Sequence, residues 1–362
     1  MDGTPKIAFR ADAGVQIGHG HVMRCLTLAD ELAAHGARCT FMTRPQDGDL
    51  CAAIEDRGHF VYRLGTCEDG YGDHPDPPAH ASWLGRSWRI DATECRALLE
   101  GIAPDWLVVD HYALDTEWQS VATPKNTKLM VIDDLADRPH QADILLDQNF
   151  GRDARAYCSL VPTDCRILVG PQYALLRPEF ARHRPLALAR REKMEPRQLL
   201  VTMGGVDKEN VTGQVLTALS KVPQIGALSV NVLLSQSAPW HDAVKQQASE
   251  IGLHVKILKS PTNIAEIMTQ ADFCIGSVGS TALERCALGL PTLQIPIASN
   301  QVFTAARMHD EGIAFALPSP DDPEFLDAID QSMKFLLSRS TYLTVARRAA
   351  SHVDGSRNGR VE

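Results

Sequence analysis

The sequence predicts an α/β protein of two doubly wound, parallel-sheet domains facing a central crevice. Three observations carry that expectation. Short apolar runs alternate with runs of helical period over 6–170, and the alternation restarts at 198. A basic, proline-bearing stretch at 182–197 separates the two halves and reads as an interdomain linker. The 362 residues suffice for roughly two domains of about 150 residues, each with its own core. The expected boundaries are 1–183 and 184–345, with 346–362 as a tail packing back on the first domain. The halves share an architecture but no sequence self-similarity.

The first strand is expected at 6–10 and leads into Ala11-Asp-Ala-Gly-Val-Gln-Ile-Gly-His-Gly-His21. An amphipathic helix follows at 22–34, with Cys25, Leu28, Ala29 and Leu32 on one face. Gly18 and Gly20 bracket the turn, and His21 sits where the helix opens. A strand–glycine loop–helix unit offers free backbone N–H groups to an anion or polar ligand. It also carries an imidazole to the carboxyl end of a strand, where open α/β sheets place their ligands. The same residues suit a tight turn whose histidine merely caps or solvates the helix start. No third glycine completes a dinucleotide fingerprint, and no Gly-Lys-Ser/Thr completes a phosphate loop.

Strands at 38–43 and 59–64 are expected around a helix at 50–57. The stretch 65–88 is rich in Gly, Pro, Asp and His and has no periodicity; a loop of that length is usually functional or mobile. Asp91 is expected to cap the next helix. The buried strand 106–110 ends in Asp110-His111-Tyr112, and 129–134 repeats the device with Asp133-Asp134. Polar residues at strand carboxyl ends suit chemistry, or equally helix capping and loop solvation. The stretch 144–170 is expected to finish the first sheet.

In the second half, strands are expected at 198–202, 228–234, 254–258, 273–275 and 292–295. Helices are expected at 210–220, 241–251, from 264, and at 281–288, with a helical tail over 325–350. Gly279-Ser280-Thr281 follows a buried strand and opens a helix whose dipole suits a diphosphate. Glu284 lies one turn in, where a carboxylate can accept both hydroxyls of a ribose or simply complement the dipole. Gly204 and Gly205, followed by Asp207, form a second glycine turn aimed at the same crevice. Asn300 and Gln301 either hydrogen-bond a sugar or start the next helix.

Composition bounds the function. The formal net charge of −9 argues against nucleic acid or an anionic membrane surface as partner. No apolar stretch reaches the roughly 18 residues of a membrane span, and the N-terminus has no signal-peptide pattern. Nine cysteines lie scattered without a Cys-x-x-Cys pair, which suits a reducing cytoplasm better than a disulfide framework or zinc site. A cytoplasmic location without stable membrane insertion, metal or cofactor is therefore expected.

The stretch from Gly279 to Thr292 resembles the UDP-sugar site of two-Rossmann-domain (GT-B) glycosyltransferases, in particular those making the peptidoglycan lipid intermediate. Gln16-Ile-Gly-His-Gly-His-Val-Met-Arg24, Val109-Asp-His-Tyr112, Ile132-Asp-Asp134 and Met203-Gly-Gly-Val-Asp207 together resemble the UDP-sugar hydrolases of pseudaminic acid biosynthesis. That resemblance spans nearly the whole chain, including Val353-Asp-Gly-Ser. It implies cleavage of a UDP-linked di-N-acetylated trideoxy-L-altrose, the freed sugar going on to a sialic-acid-like nonulosonic acid of flagellin or surface glycans. The family's catalytic histidine matches His21, and the tyrosine of its Asp-His-Tyr motif matches Tyr112. His19 fills a variable position that is usually apolar or aromatic, and so adds a second imidazole.

The resemblance implies that UDP is held by the second domain, with the diphosphate at Gly279–Thr281 and the ribose on Glu284. Gly204, Gly205, Asp207, Asn300 and Gln301 are expected beside it. Gly18, Gly20 and Arg24 are expected to bind substrate from the first domain. His21 takes a proton from the attacking water, Asp12 orients the imidazole or the water, and Tyr112 positions sugar or water. Transient contacts with enzymes of the same pathway are expected. Two other readings fit the same residues: a glycosyltransferase whose base activates an acceptor hydroxyl, and a non-catalytic nucleotide-sugar sensor.

Overall fold

In the computed structural model, residues 3–66, 70, 72–236, 238–259 and 263–354 are described. Strand β1 (Lys6–Ala11) lies inside a seven-stranded sheet and is buried on both faces. Ile7, Phe9 and Ala11 join Val22, Cys25 and Leu26 in one apolar cluster. Ala8 joins Leu107, Val109, Trp88 and Trp118 in another. Two-sided burial explains a continuous apolar run where a one-sided strand would alternate.

The first unit continues through α1 (Gly20–Ala34), β2 (Arg38–Thr43), α2 (Cys51–Asp56), β3 (Phe60–Arg63), α3 (Trp88–Ile102) and β4 (Trp106–Asp110). It then runs through α4 (Thr116–Ala122), β5 (Lys128–Ile132), β6 (Ile144–Asp147) and β7 (Arg166–Val169). The strand order is β3-β2-β1-β4-β5-β6-β7, with β6 and β7 completing the sheet as expected, and the pairs are parallel. The order turns back between β1 and β4, so their following loops diverge and leave a crevice at the strand carboxyl ends. The register sets Ala11 opposite Asp110 there.

The second unit begins at Leu176. It contains α5 (Pro178–Lys193), β8 (Gln198–Thr202), α6 (Val211–Leu219), β9 (Ser229–Leu233), α7 (His241–Glu250), β10 (His254–Leu258) and α8 (Ile264–Gln270). There follow β11 (Phe273–Ser277), α9 (Ser280–Ala287), β12 (Thr292–Ile295), α10 (Ser299–Asp310), β13 (Phe315–Ala316), α11 (Phe325–Leu337) and α12 (Arg339–His352). Its parallel sheet has the order β10-β9-β8-β11-β12-β13, with the turn-back between β8 and β11. Two Rossmann-like domains are therefore present.

The basic stretch read as a linker is instead the body of α5. Pro178 sits in the first turn, where its missing N–H costs nothing. The arginines that suggested a solvated connection serve helix ends. Arg184 donates to the carbonyls of Ala287, Ala350 (2.6 Å) and Val353 (2.8 Å). Buried Arg191 donates to those of Ala271 (2.5 Å) and Met268 (2.9 Å). Orphan carbonyls at helix C-termini accept cationic donors well, which draws these side chains inward. The chain passes from the first compact unit into the second between Leu175 and Leu176. The tail differs as well: α12 packs on α5 and α9 of the second unit, with Arg347 bonded to Glu192 at 2.9 and 3.0 Å. Residues 355–362, the rest of that expected tail, lie outside the described residues.

Asp91 does not cap α3, which starts at Trp88 behind Ser87. It points into the core, accepts from Arg10 (2.9 Å), Trp118 Nε1 (2.8 Å) and Arg44, and is fully buried. Removing one member of such a cluster strands its partners' charge. Asp91→Ala should therefore destabilise the first unit by about 3–5 kcal/mol, read as a lower denaturant midpoint; an unchanged midpoint would show that Arg10 and Arg44 are satisfied without it.

Candidate active site

The loop after β1 is a closed hairpin-like turn: Gly18 N donates to the Gly14 carbonyl at 2.7 Å. Gly18 has φ +80°, a backbone state natural to glycine. Helix α1 opens at Gly20 with no side-chain cap, and His19 in the capping position turns its Nε2 to the Gly48 carbonyl at 3.2 Å. Burial lowers the His19 pKa against the effect of that bond, leaving the ring a neutral donor.

His21 points the other way, toward the end of β4. Its Nδ1 lies 2.6 Å from Asp110 Oδ1. The guanidinium of Arg24, one turn along α1, donates to both Asp110 oxygens, Nε at 2.6 Å and Nη2 at 2.7 Å. Burial alone would raise Asp110, but Arg24 and His21 hold it well below the usual carboxylate range. An ionised acceptor at this distance keeps a proton on Nδ1 and the lone pair on Nε2. No hydrogen bond among the described residues engages Nε2, and His21 keeps 6% of its surface exposed.

Tyr112 meets the His21 ring edge-on, 4.5 Å between centroids. Its hydroxyl donates to Asp134, which also accepts from Arg24 Nη1 (3.0 Å) and Asn149 Nδ2 (3.0 Å). Burial, reinforced by Asp134, pushes the Tyr112 pKa far up, so the phenol stays a neutral donor. Arg24, expected to bind substrate, is committed instead to these two carboxylates.

Asp12 does not take the expected role beside His21. It accepts from Arg10 (2.5 Å), the Arg44 N–H (2.7 Å) and Thr43 (3.2 Å), and lies 3.3 Å from His111 Nε2. His111 accepts the Ala113 N–H on Nδ1 (3.1 Å), so Asp12 braces the turn carrying Asp110 and Tyr112 from behind. The carboxylate beside His21 is Asp110, which the sequence marked as a polar strand end and as part of an Asp-His-Tyr motif, with no role of its own. Two further residues went unselected. His80 and Trp83, from the long loop 65–88, bring their rings to 5.3 and 5.7 Å from that of Tyr112. An aromatic residue near a histidine, in a stretch rich in Gly, Pro, Asp and His, was the available signal.

In the second unit the expected residues follow β8, β11 and β12. Gly204 has φ +89° and open space where a Cβ would stand; Gly205 follows it. Asp207 accepts from the N–H groups of Val211 and Thr212, both 2.9 Å, so its carboxylate serves the start of α6. Gly279 precedes α9, whose start has no side-chain cap, and a Cβ there would meet nothing. The first N–H groups of a helix, here at Ser280 and Thr281, have no intrahelical partner and suit an anion. The Thr281 hydroxyl accepts from Arg285 (3.2 Å), which also donates to the Ser277 carbonyl (2.6 Å). Gly276 makes room for that guanidinium: a Cβ would lie 2.7 Å from Nη1. Glu284 is largely buried and paired with Arg177 at 3.0 Å; burial raises its pKa and Arg177 opposes. Gln301 accepts the Ile297 N–H at 3.0 Å, and Asn300 stands beside it in the first turn of α10.

Among the described residues no group of three or more His, Cys, Asp or Glu side chains is placed to hold a metal ion. None of their helices is long and apolar enough to cross a membrane.

No family model matches the chain. It is similar to the UDP-2,4-diacetamido-2,4,6-trideoxy-beta-L-altropyranose hydrolase of Campylobacter jejuni, 26% identical over 308 residues, 85% of this chain and 97% of that one. It is also 26% identical over 293 residues to the uncharacterized protein MJ1062 of Methanocaldococcus jannaschii, covering 80% of this chain but only 55% of that protein. Among solved structures, MurG of Acinetobacter baumannii superposes with a TM-score of 0.67 at 14% identity, over 99% of this chain and 98% of that one. The fold is thus that of the GT-B glycosyltransferases.

Asp147 borders the Asp134 network. Burial and the nearby Asp134 push its pKa up to about 7, against Arg152 at 3.0 Å. A raised acid binds its proton more tightly when folded. Its stabilising effect is therefore full at low pH and lost as pH climbs from the unfolded value of about 4 to about 7. The stability of the wild type relative to Asp147→Asn should fall across that window and level off above it. Urea unfolding at a series of pH values checks this; a flat difference would mean that Asp147 is ionised throughout.

Proposed function

We propose that the protein is a nucleotide-sugar hydrolase that releases UDP from a UDP-linked di-N-acetylated trideoxy-L-altrose. The observation that carries the reading is the Asp110–His21 couple: Nδ1 is held at 2.6 Å by an ionised carboxylate, and none of the described residues hydrogen-bonds Nε2. This is the arrangement of a general base. The name of the Campylobacter relative supports the substrate.

In this reading, nucleotide recognition belongs to the second unit. The N–H groups at Ser280 and Thr281 take the diphosphate, and Glu284 with Arg177 meets the ribose. Chemistry belongs to the first unit. His21 Nε2 removes a proton from water as the oxygen attacks the anomeric carbon. The bond to UDP breaks and its electron pair leaves with the phosphate oxygen, where backbone N–H groups stabilise the charge. A single displacement inverts the anomeric centre. Tyr112, its hydroxyl fixed by Asp134, positions the imidazole by edge contact.

His21→Ala should lower turnover by roughly 10²–10⁴ while UDP affinity barely moves. Asp110→Asn should lower turnover too, because an amide no longer enforces the Nδ1–H tautomer. Reaction in ¹⁸O-water should label the sugar, leave UDP unlabelled and survive EDTA. Label in the nucleotide, or UMP with sugar 1-phosphate, would overturn attack at carbon. UDP release only in the presence of an acceptor hydroxyl would make the protein a glycosyltransferase.

Glu284→Gln should weaken UDP binding by about 1–3 kcal/mol, as read by calorimetry. Unchanged affinity would leave Glu284 as the partner of Arg177 alone.

A further inference from the structure

Among its described residues, the segment between β3 and α3 holds a short helical turn, Ala81–Leu84. Leu84 and Trp88 enter the core of the first unit, but His80 and Trp83 go elsewhere. Their rings lie 4.3 Å apart, and Trp83 stacks on Tyr112 at 29°. The turn is anchored by Gln46, which donates to the Trp83 carbonyl at 3.1 Å. His80, Trp83, Tyr112 and His21 thus form one continuous ring contact. Its two outer members stay half-buried, whereas Trp88 and Trp118 of the same unit are wholly buried. Leaving a tryptophan half open against the tyrosine that borders His21 forgoes burial that the core offers its neighbours.

We propose that His80 and Trp83 form the sugar-facing wall of the His21 site, selecting a pyranose with an apolar C–H face over a fully hydroxylated one. The inference rests on the nucleotide-sugar reading above. Pyranose C–H groups carry slight positive charge and are drawn to the negative face of an indole. As the anomeric carbon becomes oxocarbenium-like, that attraction grows, so the wall favours the transition state over the ground state. His80 supplies a ring nitrogen to a polar substituent such as an acetamido group. Loss of a hydroxyl, as in a deoxy sugar, enlarges the face that Trp83 covers.

The test compares UDP, UDP-glucose, UDP-N-acetylglucosamine and the di-N-acetylated trideoxy nucleotide by calorimetry and by UDP release. Trp83→Ala should leave UDP affinity within about twofold, cost about tenfold in the affinity the deoxy sugar adds with a matching rise in KM, and lower kcat as well. It should also flatten the preference among the sugars, and Trp83→Phe should restore most of it. Wild-type KM, kcat and sugar preference in folded Trp83→Ala would overturn the wall. Should that variant not fold, Trp83→Phe and Trp83→Leu decide: equal affinities and preferences for the two refute an aromatic contact. A wild-type protein that binds UDP-sugars more tightly than UDP yet frees no UDP refutes hydrolysis, and the binding increment alone then judges the wall. Wild-type protein that binds no UDP-sugar refutes both.

Discussion

The carboxylate of Asp110 is buried at the end of β4, and the first unit is arranged around keeping it charged. An isolated carboxylate there would cost several kcal/mol and take up a proton instead. Arg24 prevents this by covering both oxygens, and His21 completes the set from the same helix. The constraint runs backward into the fold. The glycine turn after β1 must start α1 at Gly20, so that His21 and Arg24, three residues apart, face β4 together. Arg24 has no surface to spare for a ligand because its charge is what keeps the imidazole proton on Nδ1.

Under the proposed function, the two units would meet the same demand, a ligand at the carboxyl ends of a parallel sheet, by different means. In the first, what is offered is a set of side chains, and further buried ion pairs hold them. Arg10, Asp12 and Asp91 lock the ends of β1 and α3, while Asp134 ties Tyr112 to Arg24. In the second, the backbone is what is offered. Gly204 and Gly279 face open space, and polar side chains nearby, Asp207 and Gln301, are spent on helix starts. An anion bound by N–H groups needs clearance, which glycine provides; a base needs a fixed tautomer, which only a buried acceptor provides.

The sheets were legible because fully buried strands leave long apolar runs, and the glycine turns because few other residues meet their backbone demands. Helix α5 was not legible. Its arginines look solvated in sequence, and only the convergence of helices α8, α9 and α12 around it gives them carbonyls to serve. Asp12 and Asp110 illustrate a second limit. One follows the buried strand β1 and the other ends the buried strand β4, and the choice between them depends on which face of the sheet each side chain takes. His80 and Trp83 lie in a stretch without periodicity, so nothing in the local pattern points toward Tyr112. Contacts of that kind are set by tertiary packing alone.

The same reasoning separates the two histidines that the sequence left side by side. Residues 19 and 21 straddle the start of α1, so their side chains diverge across the helix axis. His19 spends Nε2 on the Gly48 carbonyl, and burial keeps it neutral, with its proton already committed to that bond. It can hold the loop in place but has no carboxylate to receive the charge created by accepting a second proton. His21 has one. Protonating its Nε2 makes an imidazolium against Asp110, an ion pair whose acceptor is already ionised and fixed by Arg24. The cost of charging a nearly buried ring is thereby offset where the charge forms. Of the two imidazoles, only His21 has an ionised carboxylate at hydrogen-bond distance.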